Sequence, residues 1–270
     1  MTVKISSIIP TKNRCQSVLA ALDSIKRQQF YELEIILVDD GSTDDTLAEV
    51  ASLFPEVQTI KLSGAGPGLA RNAGAAVAGG DIFMFLDSDD LWLENHVRQL
   101  VNALNRGFEV AYGVAHTRNV VGGEDFLIPE NGIGIEGDCF QALTRWCFLV
   151  PSALAVTRKA FEQTGGFSSV PYGEDWLFFL GLATLYPFGF TGAEPITLRK
   201  LHHGSLCFLS DKKKLLGIIK QVLTFLENEP RATAANCHHF KMLQAWTAEN
   251  SAQWPTVQDW YLSMLKEKLI

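Results

Sequence analysis

A chain of 270 residues is long enough for one large α/β domain with an appendage, or for two modest domains. Apolar residues make up 47% and charged residues 20%, an ordinary globular composition, and a formal charge of −7 without a basic aromatic stripe argues against a nucleic-acid partner. Five scattered cysteines (Cys15, Cys139, Cys147, Cys207, Cys237) show no CxxC spacing, which argues against a disulfide framework or a zinc site and leaves free thiols as the expectation.

Met1 to Ile5 runs straight into the first predicted strand, Ile5 to Ile9, ended by Pro10. That start leaves no room for a signal peptide. Val18, Leu19, Leu22 and Ile25 then repeat at helical spacing up to Gln28. Glu34 to Val38 reads as the next strand and Asp44 to Leu53 as a helix capped by Ser42 or Thr43. Val57 to Leu62 is a third strand, Leu69 to Ala78 an alanine-rich helix ended by Gly79-Gly80, and Ile82 to Leu86 a fourth strand. Strand–helix alternation with short links predicts a doubly wound, mostly parallel sheet that binds ligands at the carboxyl ends of its strands.

The middle of the chain predicts a strand over Glu109 to Thr117 and a mobile glycine-rich loop from Asn119 to Gly137. A helix over Cys139 to Leu149, a strand over Ser152 to Thr157, and a short helix over Lys159 to Thr164 stopped by Gly165-Gly166 follow. Glu174 to Tyr186 is a largely apolar, buried helix. The longest apolar run, Trp176 to Phe190, is too short to span a bilayer and contains Pro187. A cytoplasmic protein is the expectation, with peripheral contact to a membrane left open. From Asp211 the chain becomes helical, with one apolar face from Leu215 to Leu226 and another from Val257 to Leu265. These helices are expected to pack on the catalytic domain, a homodimer contact being the alternative. The expected division is a domain over 1–207 and a helical extension over 208–270.

Chemistry concentrates at two acidic strand ends. Asp87-Ser88-Asp89-Asp90 follows an apolar strand, and carboxylates crowded there repel one another unless a cation is present. Asp87 and Asp89 form a D-x-D turn suited to Mg²⁺ or Mn²⁺ that also holds a substrate diphosphate. Asp90 is read as the cap of a helix starting near Leu91, and Leu91 and Trp92 exclude an EF-hand loop. Asp39-Asp40-Gly41-Ser42-Thr43-Asp44 makes an ordinary turn and cap, yet its place at a sheet edge also suits a nucleoside contact. Gly64 to Asn72 fails the dinucleotide fingerprint because Leu69 stands at the third glycine, but a glycine-rich helix entry carrying Arg71 suits a phosphate-bearing ligand. Glu174-Asp175-Trp176 opens a helix, where acids are mildly stabilising in any case. For the pair His202-His203, an ordinary surface or core position competes with a ligand role.

In order along the chain, Ser7 to Arg14, Ser24 and Gln28, Val38 to Asp44, Gly68 to Gly74, Phe85 to Asp90, Gly165 to Phe167, Gly173 to Trp176 and Lys200 to Ser205 resemble the family 2 glycosyltransferases. The resemblance covers roughly residues 3 to 207 and leaves the helical tail outside. It implies a GT-A-type α/β fold and metal-dependent, inverting transfer of a sugar from a nucleotide-diphosphate donor, a UDP-sugar foremost, to a hydroxyl of a glycan or lipid-linked acceptor in polysaccharide or glycoconjugate synthesis. The implied nucleotide site comprises Pro10, Thr11, Asn13, Arg14, Asp40, Arg71, Asp87 and Ser88, with Asp40 and Arg71 near the base. Asp89 would be the principal ligand of Mn²⁺ or Mg²⁺, with Asp87 and His202 beside it. Asp175 matches the general base, and Glu174, Trp176 and Asp90 would support the acceptor side. The sequence departs from the family pattern at Lys12, where many members carry tyrosine, and at Lys200, which replaces an arginine at shifted spacing.

Two rival readings use similar parts. A nucleotidyltransferase would be expected to carry a basic glycine-rich loop near the N-terminus, and Pro10 to Arg14 does not provide one. A non-catalytic nucleotide-sugar binding module would be expected to lack the acids that stand at Asp87, Asp89 and Asp175.

Overall fold

The computed structural model describes residues 3–28, 30, 32–120, 122–202, 205, 212–250, 260 and 263. In the first half, strands β1 (Ile5–Thr11), β2 (Leu33–Asp39), β3 (Gln58–Lys61) and β4 (Ile82–Phe85) alternate with helices α1 (Cys15–Lys26), α2 (Thr46–Leu53) and α3 (Pro67–Val77). The two-residue strand β5 (Leu91–Trp92) and helix α4 (His96–Leu104) follow. Then come β6 (Val110–Asn119), β7 (Phe126–Ile128), α5 (Phe140–Leu143), β8 (Leu154–Thr157), α6 (Arg158–Thr164), α7 (Glu174–Leu185) and β9 (Phe188–Leu201). Two helices, α8 (Lys212–Asn228) and α9 (Ala234–Glu249), complete the described elements.

The strands form one mixed sheet in the order β3-β2-β1-β4-β8-β6-β9-β5, with β7 paired to β6. The longest ladders, β1–β2 and β6–β9, are parallel, as are β2–β3 and β1–β4. Strand β8 runs antiparallel between β4 and β6. Because successive strand residues point to opposite faces, the uninterrupted apolar runs bury both. Ile8, Ile36, Val38, Phe83 and Phe85 face a core shared with α7, α8 and α9. Ile5, Ile9, Ile35, Leu37, Ile82 and Met84 face a second core shared with α1 and α4.

Helix α3 crosses the first of these faces closely. A Cβ on Gly74 would lie 2.5 Å from Ile8 Cγ2 and 3.1 Å from Val38 Cγ2. The glycine therefore lets the helix descend onto β1 and β2. Helix α8 presents Leu215, Ile219, Val222, Leu223 and Leu226 to the core that also holds Trp176, Phe178 and Phe179 of α7.

Several expectations need correction. Asp90 caps no helix: Leu91–Trp92 is a strand paired with β9, and α4 begins at His96 with Asn95 as its N-cap. Ser42 and Thr43 do not cap α2, whose N-cap is Asp45, while Asp44 accepts from Thr46 N at 3.1 Å. The stretch from Asn119 to Gly137 contains strand β7, and the Tyr112 hydroxyl donates to Ile135 O at 2.9 Å. Strand β9 has no counterpart among the predicted elements, because Gly189, Gly192, Glu194 and Pro195 break any alternation. Of the expected apolar face from Val257 to Leu265 only Trp260 is described, buried and donating to Thr247 Oγ1 at 3.1 Å, and Cys207 and His203 lie outside the described residues. Among the described residues no helix is long and apolar enough to cross a membrane, and Cys15, Cys139, Cys147 and Cys237 are free thiols.

Candidate active site

Parallel pairing of β1, β2 and β4 brings Thr11, Asp39-Asp40 and the turn after Phe85 to one sheet edge. Thr11, Asp40 and Asp87 line a cavity of about 390 Å³, together with Pro10, Lys12, Arg14, Gly66, Arg71, Ser88, Asp89, Asp90, Arg199 and Lys200. A second cavity of about 180 Å³ lies beside it, lined by Glu174, Asp175, Tyr172, Trp146, Lys214 and Ile218 among others. Arg71, Asp87 and Arg199 line both.

Asp40 is held by backbone donors: Ala65 N reaches Oδ1 at 2.6 Å and Gly66 N reaches Oδ2 at 2.9 Å. The glycine-rich entry to α3 thus aims its N–H groups at Asp40. Asn13, in the left-handed region at φ 52°, accepts from Thr43 N at 2.7 Å, and its own N–H donates to Ser42 Oγ at 2.8 Å. Its amide ties the loops after β1 and β2 together and does not line the cavity. Buried Thr11 Oγ1 has no hydrogen-bond partner among the described residues, which leaves it available to a ligand at that wall.

Arg71 of α3 is paired with two carboxylates at the wall of the larger cavity. Its side chain is 3% exposed, with Nη2 2.5 Å from Asp87 Oδ1 and Nη1 3.1 Å from Glu174 Oε1. Burial works against its charge, but Asp87 and Glu174 outweigh that and hold it firmly cationic. The Phe167 ring lies 5.1 Å from the guanidinium carbon. Asn72 clamps Phe167 from α3, donating to Phe167 O at 2.7 Å and accepting from Phe167 N at 2.9 Å.

The acidic turn is fixed through Ser152, whose Oγ accepts from Asp87 N at 3.0 Å and donates to Asp90 Oδ2 at 2.6 Å. Asp90 is buried, 3.8 Å from Arg199 Nε, and desolvation pushes its pKa up to about 7 against the pull of Arg199. Asp90 anchors the turn from beneath. Asp89 points the other way, with His202 Nε2 2.9 Å and Arg14 Nη2 3.7 Å from its Oδ2.

Asp175 sits at the first turn of α7, and burial raises its pKa while Arg71 opposes the rise. Glu174 is raised to about 7 by burial and by Asp175, again against Arg71. Trp176 is mainly a core residue: its indole N–H donates to Leu143 O at 2.8 Å, though its side chain borders the second cavity. Among the described residues no three His, Cys, Asp or Glu side chains converge as a metal centre. Asp89 and His202 nevertheless supply an oxygen and an imidazole nitrogen, a donor pair that fits Mn²⁺ or Mg²⁺ completed by diphosphate oxygens and water.

Sequence reasoning missed Arg199 and Ser152. Arg199 adjoins the recognised segment starting at Lys200 and could have been found from it. Ser152 carried no signal, since its partners lie more than sixty positions away.

The profile described as "Glycosyl transferase family 2" matches residues 6–165. A GalNAc(5)-diNAcBac-PP-undecaprenol beta-1,3-glucosyltransferase of Campylobacter jejuni is 36% identical over 182 residues, covering 64% of this chain and 57% of that protein. An uncharacterized glycosyltransferase of Nostoc sp. is 31% identical over 172 residues, covering 60% of this chain and 53% of that one. The chain thus spans about half the length of these relatives. The crystal structure of S. aureus TarS 1-349 in complex with UDP-GlcNAc superposes with a TM-score of 0.68 at 17% identity, covering 97% of this chain and 79% of that one. The mannosyltransferase PcManGT from Pyrobaculum calidifontis, in complex with GDP-Man and Mn²⁺, gives 0.60 at 18% identity, covering 100% and 81%. At such identities the superpositions establish a GT-A fold.

Proposed function

The chain belongs to glycosyl transferase family 2, and from that premise we propose that it moves a sugar from a nucleotide-diphosphate donor to an acceptor hydroxyl with inversion at the anomeric carbon. The observation that carries the reading is the pair of cavities meeting at Arg71, Asp87 and Arg199, with Asp40 and Asp89 in one and Asp175 in the other. Such an arrangement lets two substrates meet where the cavities adjoin, as a direct displacement requires.

In this reading the larger cavity takes the nucleoside diphosphate. Asp40 and Thr11 accept from the nucleoside, Asp87 lies at the donor sugar's side, and Arg14, Lys12 and Lys200 face the phosphates. Asp89 and His202 would hold Mn²⁺ or Mg²⁺, which when bound neutralises charge on the departing diphosphate. Asp175 removes the proton from the acceptor hydroxyl as its oxygen attacks the anomeric carbon from the second cavity. Its desolvated carboxylate is a stronger base than an exposed aspartate. Arg71 and Arg199 at the junction compensate the surrounding carboxylates. The acceptor is a glycan or a lipid-linked glycan, the class on which the Campylobacter relative is named as acting.

The test is incubation with a panel of nucleotide sugars, Mn²⁺ and glycan acceptors. Release of nucleoside diphosphate with an inverted glycoside, read by NMR, is expected. Pyrophosphate release would favour a nucleotidyltransferase, and binding without release a non-catalytic module.

A further inference from the structure

We propose that Glu174 is a positioning residue for the nucleotide side, acting through a strut Glu174–Arg71–Asp87 that fixes Asp87 from across the wall between the cavities. The inference rests on reading the larger cavity as the nucleotide site. Glu174 itself lines only the smaller cavity, whereas Asp87 lines both.

The strut is built from segments far apart in sequence. Arg71 and Glu174 are 103 positions apart, and Arg71 and Asp87 are 16 apart. A buried guanidinium that loses one carboxylate must find another partner, since leaving it half-paired is costly. Asp175, whose charge already interacts with Arg71, is the remaining acid beside it. Without Glu174, Arg71 would turn from its present line, and Asp87 would lose its fixed orientation.

The sequence around Arg71 is shaped for this contact. A Cβ on Gly68 would lie 2.9 Å from Glu174 Cγ and 2.8 Å from Ser168 O. Gly68 therefore makes room for Glu174 one helical turn before Arg71. Asn72 holds Phe167 against the guanidinium from the opposite side. Gly68, Arg71 and Asn72 thus form one device, which accounts for a segment that does not fit a dinucleotide loop.

Calorimetric titration of UDP, GDP and dTDP, each with and without Mn²⁺, tests the strut on the full chain. Glu174→Ala should weaken the best-bound nucleotide by roughly tenfold or more, the scale seen for residues that orient a ligand-binding carboxylate. Glu174→Gln, which still accepts from Arg71, should recover part of the loss. Gly68→Ala, which crowds Glu174 Cγ together with Ser168 O and removes no charge, should also weaken binding. Thermal melts run alongside identify a variant that does not fold, and should Glu174→Ala be that variant, Gly68→Ala decides. Wild-type affinity in folded Glu174→Ala, or in Gly68→Ala, overturns the strut alone. Equal damage in the glutamine and alanine variants overturns it too. A wild-type protein that binds none of the three nucleotides overturns the reading of the cavity and the strut with it.

Discussion

His202 Nε2 stands 2.9 Å from Asp89 Oδ2 across 113 positions of sequence, joining the segment after β9 to the turn after β4. The contact adds an imidazole to an acidic turn already faced by Arg14, Arg71 and Arg199. On the functional reading it marks the metal and diphosphate end of the larger cavity.

Asp89→Ala should weaken nucleotide binding chiefly in the presence of Mn²⁺. With one of two protein donors gone, His202 alone orients the ion. Calorimetry showing the same Mn²⁺-dependent UDP affinity as wild type would remove Asp89 from the metal site.

Asp175→Asn should keep nucleotide affinity and lose transfer by roughly 10²–10⁴-fold, the usual scale for a general base. The amide matches the carboxylate in size but cannot take the proton. Near-normal turnover in this variant, with nucleotide affinity unchanged, would exclude Asp175 from the role.

Buried Glu174 should give the ligand-free protein a stability contribution that falls as pH rises toward neutrality. Buried His96, whose pKa is pushed down to about 3, opposes it with a contribution that grows over the same range. Glu174 has a folded pKa of about 7 against an ordinary 4.5, so the folded chain binds the extra proton between those values. Its stabilising contribution is complete below the ordinary value and is lost as pH rises through about 7. Asp90, raised for the same reason of burial, acts in the same direction. Melting temperatures measured across this range should decline, and Glu174→Gln should flatten the decline. An unchanged slope in that variant would count against the assignment.

Gly74→Ala should destabilise the fold by about 1–3 kcal/mol through overpacking. The added methyl would meet Ile8 and Val38 in the centre of the sheet. Urea unfolding with the midpoint unchanged would show that α3 shifts without cost.

The sequence made the first half of the fold legible, and for a physical reason. Strands β1, β2 and β4 are buried on both faces, so Ile35 to Val38 and Ile82 to Leu86 read as unbroken apolar runs, while β1 buries Ser6 and Ser7 among its isoleucines. Helices α3 and α7 announced themselves by alanine content and by apolar length. Strand β9 escaped because it carries glycines, a proline and charges, and because its ladder with β6 shifts register near Tyr112 and Val114. Asp90 was misread as a cap because its partners, Ser152 and Arg199, are remote in sequence.

Local patterning carries the inventory: apolar runs ending in acids, an arginine after a glycine-rich helix entry, and an acidic pair opening an apolar helix. Those features follow from local rules, since burial fixes composition and strand ends fix where polar residues can emerge. Only the tertiary structure decided the pairing. It set Arg71 between Asp87 and Glu174, turned Asp90 inward and Asp89 toward His202, and placed Arg199 where the two cavities meet. A buried charge takes whichever partner the packing brings within reach, and sequence spacing carries no record of a contact made across a hundred residues.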